Sequence, residues 1–182
     1  MHPADARSDE ELVEAANRGD AAAFEALYLR YRDWTVRLAR RFTPSPDDAL
    51  DVLQDTFAYL LRKFPGFQLT ARMTTFLYPV VKHLALTRRR KGGDPVADDE
   101  ILAAMPAPST APAQDARAEL AAALKGVSDP QREVLLMRFL DDMSLAEIAG
   151  VLGIPTGTVK SRLHHALATL RSDPRTKQYF EA

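Results

Sequence analysis

A segment near the carboxyl end of the chain restricts the fold more than any other. Ser144 with Glu147 forms a capping-box pattern, which predicts the start of a helix. Gly153 stands where a left-handed residue allows a sharp turn, and Thr156 is a candidate N-cap for a second helix. Apolar residues follow at helical spacing in both helices. A short helix, a glycine turn and a second helix predict a helix-turn-helix over residues 144–165.

The second of these helices carries a polar face opposite its apolar one. Four of its residues fall at positions i, i+3, i+4 and i+7, namely Thr158, Ser161, Arg162 and His165. Lys160 lies next to this row. Such groups near a helix N-terminus suit the major groove of DNA, where arginine reads guanine edges bidentately. A solvated face on a small bundle is the alternative, and the pattern favours DNA binding. Adjacent histidines point about 100° apart on a helix, so no metal site is expected.

Helix signals fill most of the remaining chain, and strand-like alternation is almost absent, so we predict an all-α protein. Ser8 with Glu11, Asp20, and Ser45 with Pro46 are cap signals for three helices in the first half of the chain. The helix that starts at Ser45 is expected to bury an apolar stripe formed by Leu50, Leu53, Phe57, Leu60 and Phe64.

We expect two small helical domains, at 8–91 and 116–172. A proline- and alanine-rich flexible linker, 92–115, joins them, and the tail 173–182 is expected to be frayed. A docked turn within the linker is a second interpretation, based on Ile101, Leu102 and Met105. The alternative to a frayed tail is that Tyr179 and Phe180 pack back on the fold.

Composition excludes several classes of protein. The chain has no cysteine, no apolar run long enough to span a bilayer and no signal-peptide pattern, so we expect a cytoplasmic protein without membrane insertion. It has no phosphate-binding glycine loop, metal-ligand spacing or nucleophile–base pattern, so we expect neither an enzyme nor a cofactor. The net charge of −1 is low for an independent DNA-binding protein, and we expect DNA binding to require a partner.

The first domain has one acidic and one basic feature. Asp51, Gln54 and Asp55 share a helix face with no basic residue at helical spacing nearby. Spacing by itself favours a plain exposed face over protein docking or paired catalytic carboxylates. The fourth predicted helix, about 74–90, bends near Pro79 and is rich in cations toward its end. These are Lys82, His83, Arg88, Arg89, Arg90 and Lys91. Cations with nearby aromatic rings suit an unstacked strand, although dipole compensation is the alternative.

Five motifs together resemble one family, the extracytoplasmic-function sigma factors of bacterial RNA polymerase. They are 19–28 (GDAAAFEALY), 51–57 (DVLQDTF), 129–136 (DPQREVLL), 144–149 (SLAEIA) and 153–164 (GIPTGTVKSRLH). The last is highly specific when it closes a chain of this length, and the resemblance covers roughly 8–91 and 116–172. It implies a promoter-specificity subunit with sigma regions 2 and 4 and no catalytic site.

The resemblance also implies roles for the residues. Asp51, Gln54 and Asp55 dock on the β′ clamp helices of core polymerase, and the second domain sits on the β flap. The loop carrying Gln68 and Arg72, with the basic helix through Lys91, opens and holds the promoter −10 element. The outward face of the last helix reads the −35 element. An anti-sigma factor is a further partner that the family implies.

Two alternatives remain at this point. An ordinary helix-turn-helix regulator would bind duplex DNA alone, usually as a dimer on a palindrome. A sigma-like adaptor would sequester anti-sigma proteins without reading DNA. The linker length agrees with the leading interpretation, because the 24 residues of 92–115 reach roughly 80 Å when extended. Promoter elements two helical turns apart are separated by about 70 Å.

Overall fold

A computed structural model describes residues 5–92 and 111–180. All regular secondary structure in these two ranges is helical, which confirms the predicted all-α class. The chain divides into two units, 1–100 and 101–182, and each is considered by itself. The turn considered for Ile101, Leu102 and Met105 lies outside the described residues.

Within its described residues, 5–92, the first unit contains four helices: α1 (Asp9–Asn17), α2 (Ala21–Ala39), α3 (Pro46–Leu61) and α4 (Met73–Gly92). Three of their starts follow the predicted capping chemistry. Ser8 and Glu11 complete a capping box, and the Asp20 carboxylate accepts hydrogen bonds from two backbone N–H groups of α2. Ser45 accepts from the N–H of Asp48 at the start of α3. These side chains satisfy donors that a helix N-terminus leaves unpaired, which explains why the helices begin where they do.

Helices α2, α3 and α4 pack together, and α1 packs on α2. The largest fully buried side chains of this unit include Leu27, Leu38, Leu60 and Tyr78. The Tyr31 hydroxyl of α2 donates a hydrogen bond to Asp9 of α1, and burial together with this bond raises the pKa of the Tyr31 phenol. Polar contacts therefore supplement apolar packing where α1 meets α2.

Two residues expected in the apolar stripe of α3 lie elsewhere. Leu50 is 48% exposed, so the prediction that it is buried is wrong. Ala49 is fully buried one residue earlier, and a step of one residue rotates a side chain by about 100° around the helix. Phe64 lies beyond the end of α3, in edge-to-face contact with Phe24 and Phe67. Helix α4 continues through the exposed Pro79 from Met73 to Gly92.

The second unit contains α5 (Ala111–Leu124), α6 (Asp129–Phe139), α7 (Leu145–Leu152), α8 (Thr156–Ser172) and a 3₁₀ turn (Lys177–Tyr179). A cluster of buried apolar side chains joins α5, α6 and α8. Helix α5 begins inside the segment predicted as linker, so 111–115 are helical. Helical residues rise about 1.5 Å each instead of about 3.5 Å, which shortens the maximum reach of 92–115 by about 10 Å.

The predicted turn between α7 and α8 is present. Ser144 and Glu147 form the capping box, and Gly153 has φ +64° in the left-handed region. One detail differs from the prediction. The N-cap of α8 is Pro155 and Thr156 is the first helical residue, with no side-chain capping bond. Proline has a fixed φ that suits the cap, so α8 starts at Thr156, one residue earlier than a Thr156 cap would place it.

Residues 173–180 fold back along the carboxyl end of α8, although Tyr179 and Phe180 stay 53% and 41% exposed. Thr176 is 1% exposed, and its hydroxyl donates a hydrogen bond to the carbonyl of Leu170. The guanidinium of Arg171 lies 5.5 Å from the centre of the Phe180 ring. Hydrogen bonds from Arg175 lower the pKa of Asp173 to about 2. The tail therefore covers the carboxyl end of α8.

We expect Thr176→Val to lower the free energy of unfolding by about 1 kcal/mol, because the Leu170 carbonyl would lose the buried Thr176 hydroxyl and keep only the N–H of Asp173 as a donor. Urea unfolding of the full chain, followed by circular dichroism, measures the change. Thr169→Val is the matched control, since the Thr169 hydroxyl donates to a helix carbonyl at an exposed position. A loss equal to that of the control would show that the tail does not stabilise α8.

Candidate functional site

The face of α8 predicted to read DNA points away from the core of the second unit. Val159 and Ala166 are completely buried on the opposite side of the helix. Among the five predicted residues, Lys160, Ser161 and His165 are exposed, whereas Thr158 and Arg162 are half-buried. The Ser161 hydroxyl lies 3.4 Å from Nδ1 of His165. Hydroxyl, guanidinium and imidazole groups are thus presented together on one accessible surface.

The acidic face of α3 has a basic partner that helical spacing did not indicate. Arg88 of α4 contacts the carboxylates of both Asp51 and Asp55, the second at 3.3 Å. Both carboxylates remain about half exposed, and Gln54 is exposed beside them. Helical spacing along α3 could not have revealed this cation. The partner comes from another helix, 37 and 33 residues further along the chain.

The other predicted cations lie along α4 in different environments. Lys82 Nζ is 5.6 Å from the centre of the Phe42 ring, which half-buries the lysine. His83, Arg90 and Lys91 are exposed, and Arg89 is half-buried. Arg88 differs from the rest because its guanidinium contacts the carboxylates of α3. Arg88 therefore takes part in ion pairs within the unit, whereas His83, Arg90 and Lys91 face solvent.

Two adjoining concavities lie where α3 and α4 meet. The larger has a volume of about 710 Å³, and its lining includes Tyr59, Phe76 and His83. The smaller, about 450 Å³, is lined by charged groups that include Arg88 and Lys91. Asp55 and Leu84 line both. The acidic face and the basic helix thus border one continuous recess.

The loop between α3 and α4 carries the other two predicted DNA contacts, Gln68 and Arg72, and both are exposed. This loop is held from an unexpected position. The side-chain amide of Asn17, at the end of α1, hydrogen bonds to the backbone of Gly66 and Phe67. No sequence pattern pointed to Asn17, because its partners lie about 50 residues away.

The structure offers little support for other chemistries within its described ranges. No group of three or more potential ligands there could hold a metal ion. The rings of His164 and His165 have centres 5.8 Å apart and are steeply inclined. Each helix in the described part is too short or too polar to cross a lipid bilayer.

Comparison with known proteins identifies both units. The family described as sigma-70 region 2 matches residues 27–94, and sigma-70 region 4 matches residues 117–170. The ECF RNA polymerase sigma factor SigM of Mycobacterium tuberculosis is 34% identical over 165 residues, covering 90% of this chain and 83% of the relative. SigW of Bacillus subtilis, also named an ECF RNA polymerase sigma factor, is 27% identical, covering 90% and 95%.

Solved structures share the fold. CnrH, in complex with the cytosolic domain of CnrY, has a TM-score of 0.64 at 24% identity and covers 88% of this chain and 93% of its own. The sigma factor RpoE of Bartonella quintana, in complex with the anti-sigma factor NepR, has a TM-score of 0.59 at 23% identity. It covers 81% of this chain and 94% of its own.

A region 2 helical unit followed by a region 4 helix-turn-helix defines the sigma-70 class of transcription initiation factors. Within that class, the chain belongs to the extracytoplasmic-function (ECF) sigma factors of RNA polymerase. It therefore directs promoter-specific transcription initiation by binding core polymerase and promoter DNA. The resemblance inferred from the sequence motifs is confirmed, and membership of this family argues against an unrelated helix-turn-helix regulator.

Proposed function

We propose a division of labour among three surfaces of this sigma factor. The acidic face of α3, formed by Asp51, Gln54 and Asp55, docks on the β′ clamp helices of core polymerase. The loop before α4 and the basic side of α4 hold the opened −10 element. The outward face of α8 reads the −35 element while the second unit lies on the β flap.

The docking role is supported by the accessibility of the α3 face. Asp51 and Asp55 keep about half of their side-chain surface exposed, although Arg88 contacts both. An ion pair that remains exposed to water contributes little stability, about 0–1 kcal/mol, so a basic partner surface can compete with Arg88. We propose that Arg88 orients the two carboxylates in the free protein rather than serving mainly as a phosphate contact.

The −10 role assigns different tasks to the loop and the helix. Gln68 and Arg72 are exposed on the loop, where they contact unstacked bases. The cations of α4 outside the docking face contact phosphates, which position a nucleic acid strand without reading its sequence. They are Lys82, His83, Arg89, Arg90 and Lys91.

The position of the polar face of α8 is the observation that carries the proposal, and the −35 role rests on it. Thr158, Ser161, Arg162 and His165 occupy the side of α8 away from the buried Val159. If these groups lay inside the protein, the second unit could not present a recognition helix to a major groove. Lys160 lies next to them and is suited to a flanking phosphate.

Further aspects of the function follow from this assignment. We propose that the chain has no catalytic activity of its own, that it needs no cofactor and that it works in the cytoplasm, beside the chromosome. Because RpoE was solved in complex with the anti-sigma factor NepR and CnrH in complex with the cytosolic domain of CnrY, we also propose an anti-sigma factor for this chain.

Run-off transcription with purified core polymerase on a genomic fragment library tests the proposal. We expect start sites that depend on the added chain and share two upstream elements at a common spacing. Core polymerase alone on the same library is the control. Binding to anti-sigma protein without any chain-dependent transcript would contradict the proposal.

A further inference from the structure

Asn17 forms three side-chain hydrogen bonds to the loop between α3 and α4. Its Oδ1 accepts from the N–H of Gly66 at 2.7 Å and from the N–H of Phe67 at 3.1 Å. Its Nδ2 donates to the Phe67 carbonyl at 2.8 Å. One amide thus pairs with both backbone groups of Phe67, as a neighbouring strand would. No other residue type of this length offers the same donor and acceptor.

The loop is anchored on its side-chain face as well. The Phe67 ring is buried, with ring centres 5.5 Å from Phe64 and 4.8 Å from Phe76. Gly66 has φ +103°, a conformation that other residues rarely adopt, so the chain direction changes sharply just before the anchor. Asn17 therefore holds the backbone while the aromatic rings hold the side chain.

The exposed part of the loop begins directly after this anchor. Gln68, Thr70 and Arg72 are all exposed, and α4 starts at Met73. The segment 68–72 is therefore suspended between two fixed points, Phe67 and the first turn of α4. Removing the Asn17 amide would leave the backbone of Phe67 without those partners and would free the first of the two points.

We propose that Asn17 is a positioning residue for the base selectivity of this sigma factor at the −10 element. This inference rests on the proposed function, in which Gln68 and Arg72 contact that element. Asn17 acts indirectly, through its hydrogen bonds to the backbone of Gly66 and Phe67. Base contacts depend on fixed geometry whereas phosphate contacts tolerate displacement, so selectivity falls more than total affinity when the anchor is lost.

Transcription by holoenzyme from two promoter libraries tests this inference. One library is randomised at the −10 element and the other at the −35 element, and sequencing of transcripts gives base preferences at each position. For Asn17→Ala we expect the preference ratio at one or more −10 positions to fall about tenfold, with the −35 profile unchanged. Asn17→Asp retains both acceptor bonds and should give an intermediate −10 profile. Arg18→Ala, an exposed neighbour, is the matched control.

The outcomes separate this inference from the proposed function. A wild-type −10 profile for Asn17→Ala overturns the role of Asn17, and so does an equal loss in both libraries, which would indicate general destabilisation. Absence of any −10 preference in the wild-type holoenzyme refutes the proposed function itself. If Asn17→Ala does not fold by circular dichroism, Asn17→Asp decides: an intermediate profile supports the inference and a wild-type profile overturns it.

Discussion

Replacing Asp51 and Gln54 together with alanine should abolish association with core polymerase while leaving the helix content unchanged. Both side chains are exposed on α3, so their removal leaves no cavity in the core. At a buried interface, truncating one partner of a hydrogen-bonded charge pair costs about 2–5 kcal/mol. We therefore expect a loss of affinity of at least about thirtyfold, measured by fluorescence anisotropy of labelled chain titrated with core enzyme.

Two further variants test the specificity of this effect. Asp33→Ala removes the same charge from an exposed site on α2 and should retain wild-type affinity. Arg88→Ala frees both carboxylates from their internal partner, and we expect affinity for core to be retained or modestly increased. Retained co-purification of the Asp51 and Gln54 double variant with core would contradict the docking role. A loss with Arg88→Ala as large as that of the double variant would assign the contact to Arg88 instead.

Replacing Arg162 with alanine should change recognition at one upstream base pair. A bidentate arginine–guanine contact contributes about 1–3 kcal/mol of discrimination, which corresponds to roughly a tenfold to hundredfold loss at that position. Transcription from a set of singly substituted −35 elements measures the effect. The half-buried setting of Arg162 restricts its side chain, which suits a directional contact better than a freely mobile cation would.

Lys160→Ala provides the matched control for this prediction, because Lys160 is an exposed cation two residues earlier on α8. We expect that variant to weaken binding equally on all sequences and to reduce the slope of the salt dependence by about one. If Arg162→Ala shows the same uniform loss, Arg162 is a phosphate contact and base reading must come from other residues of α8.

Local features of the fold were predictable to within about a residue. The capping boxes at Ser8 and Ser144 and the left-handed Gly153 each depend on residues no more than a few positions apart. The outward face of α8 could also be predicted from the sequence, because helical periodicity alone determines which side chains share a face. The prediction of a Thr156 cap was wrong by one residue, within the usual uncertainty of helix ends.

Contacts between distant parts of the chain were not predictable in this way. The pairing of Arg88 with Asp51 and Asp55 depends on how α4 packs against α3. The hydrogen bonds of Asn17 depend on the end of α1 meeting the loop after α3. The packing of Thr176 under the end of α8 likewise required the folded tail.

The amino-acid sequence alone determined the helical class, the helix-turn-helix and the residues on the outward face of α8. These follow from capping, turn formation and periodicity, which act over a few neighbouring residues. The tertiary structure alone decided which cation faces the acidic surface of α3 and which residue holds the loop at Phe67. Such choices arise when helices pack, because packing brings together charges and amides that no local spacing relates.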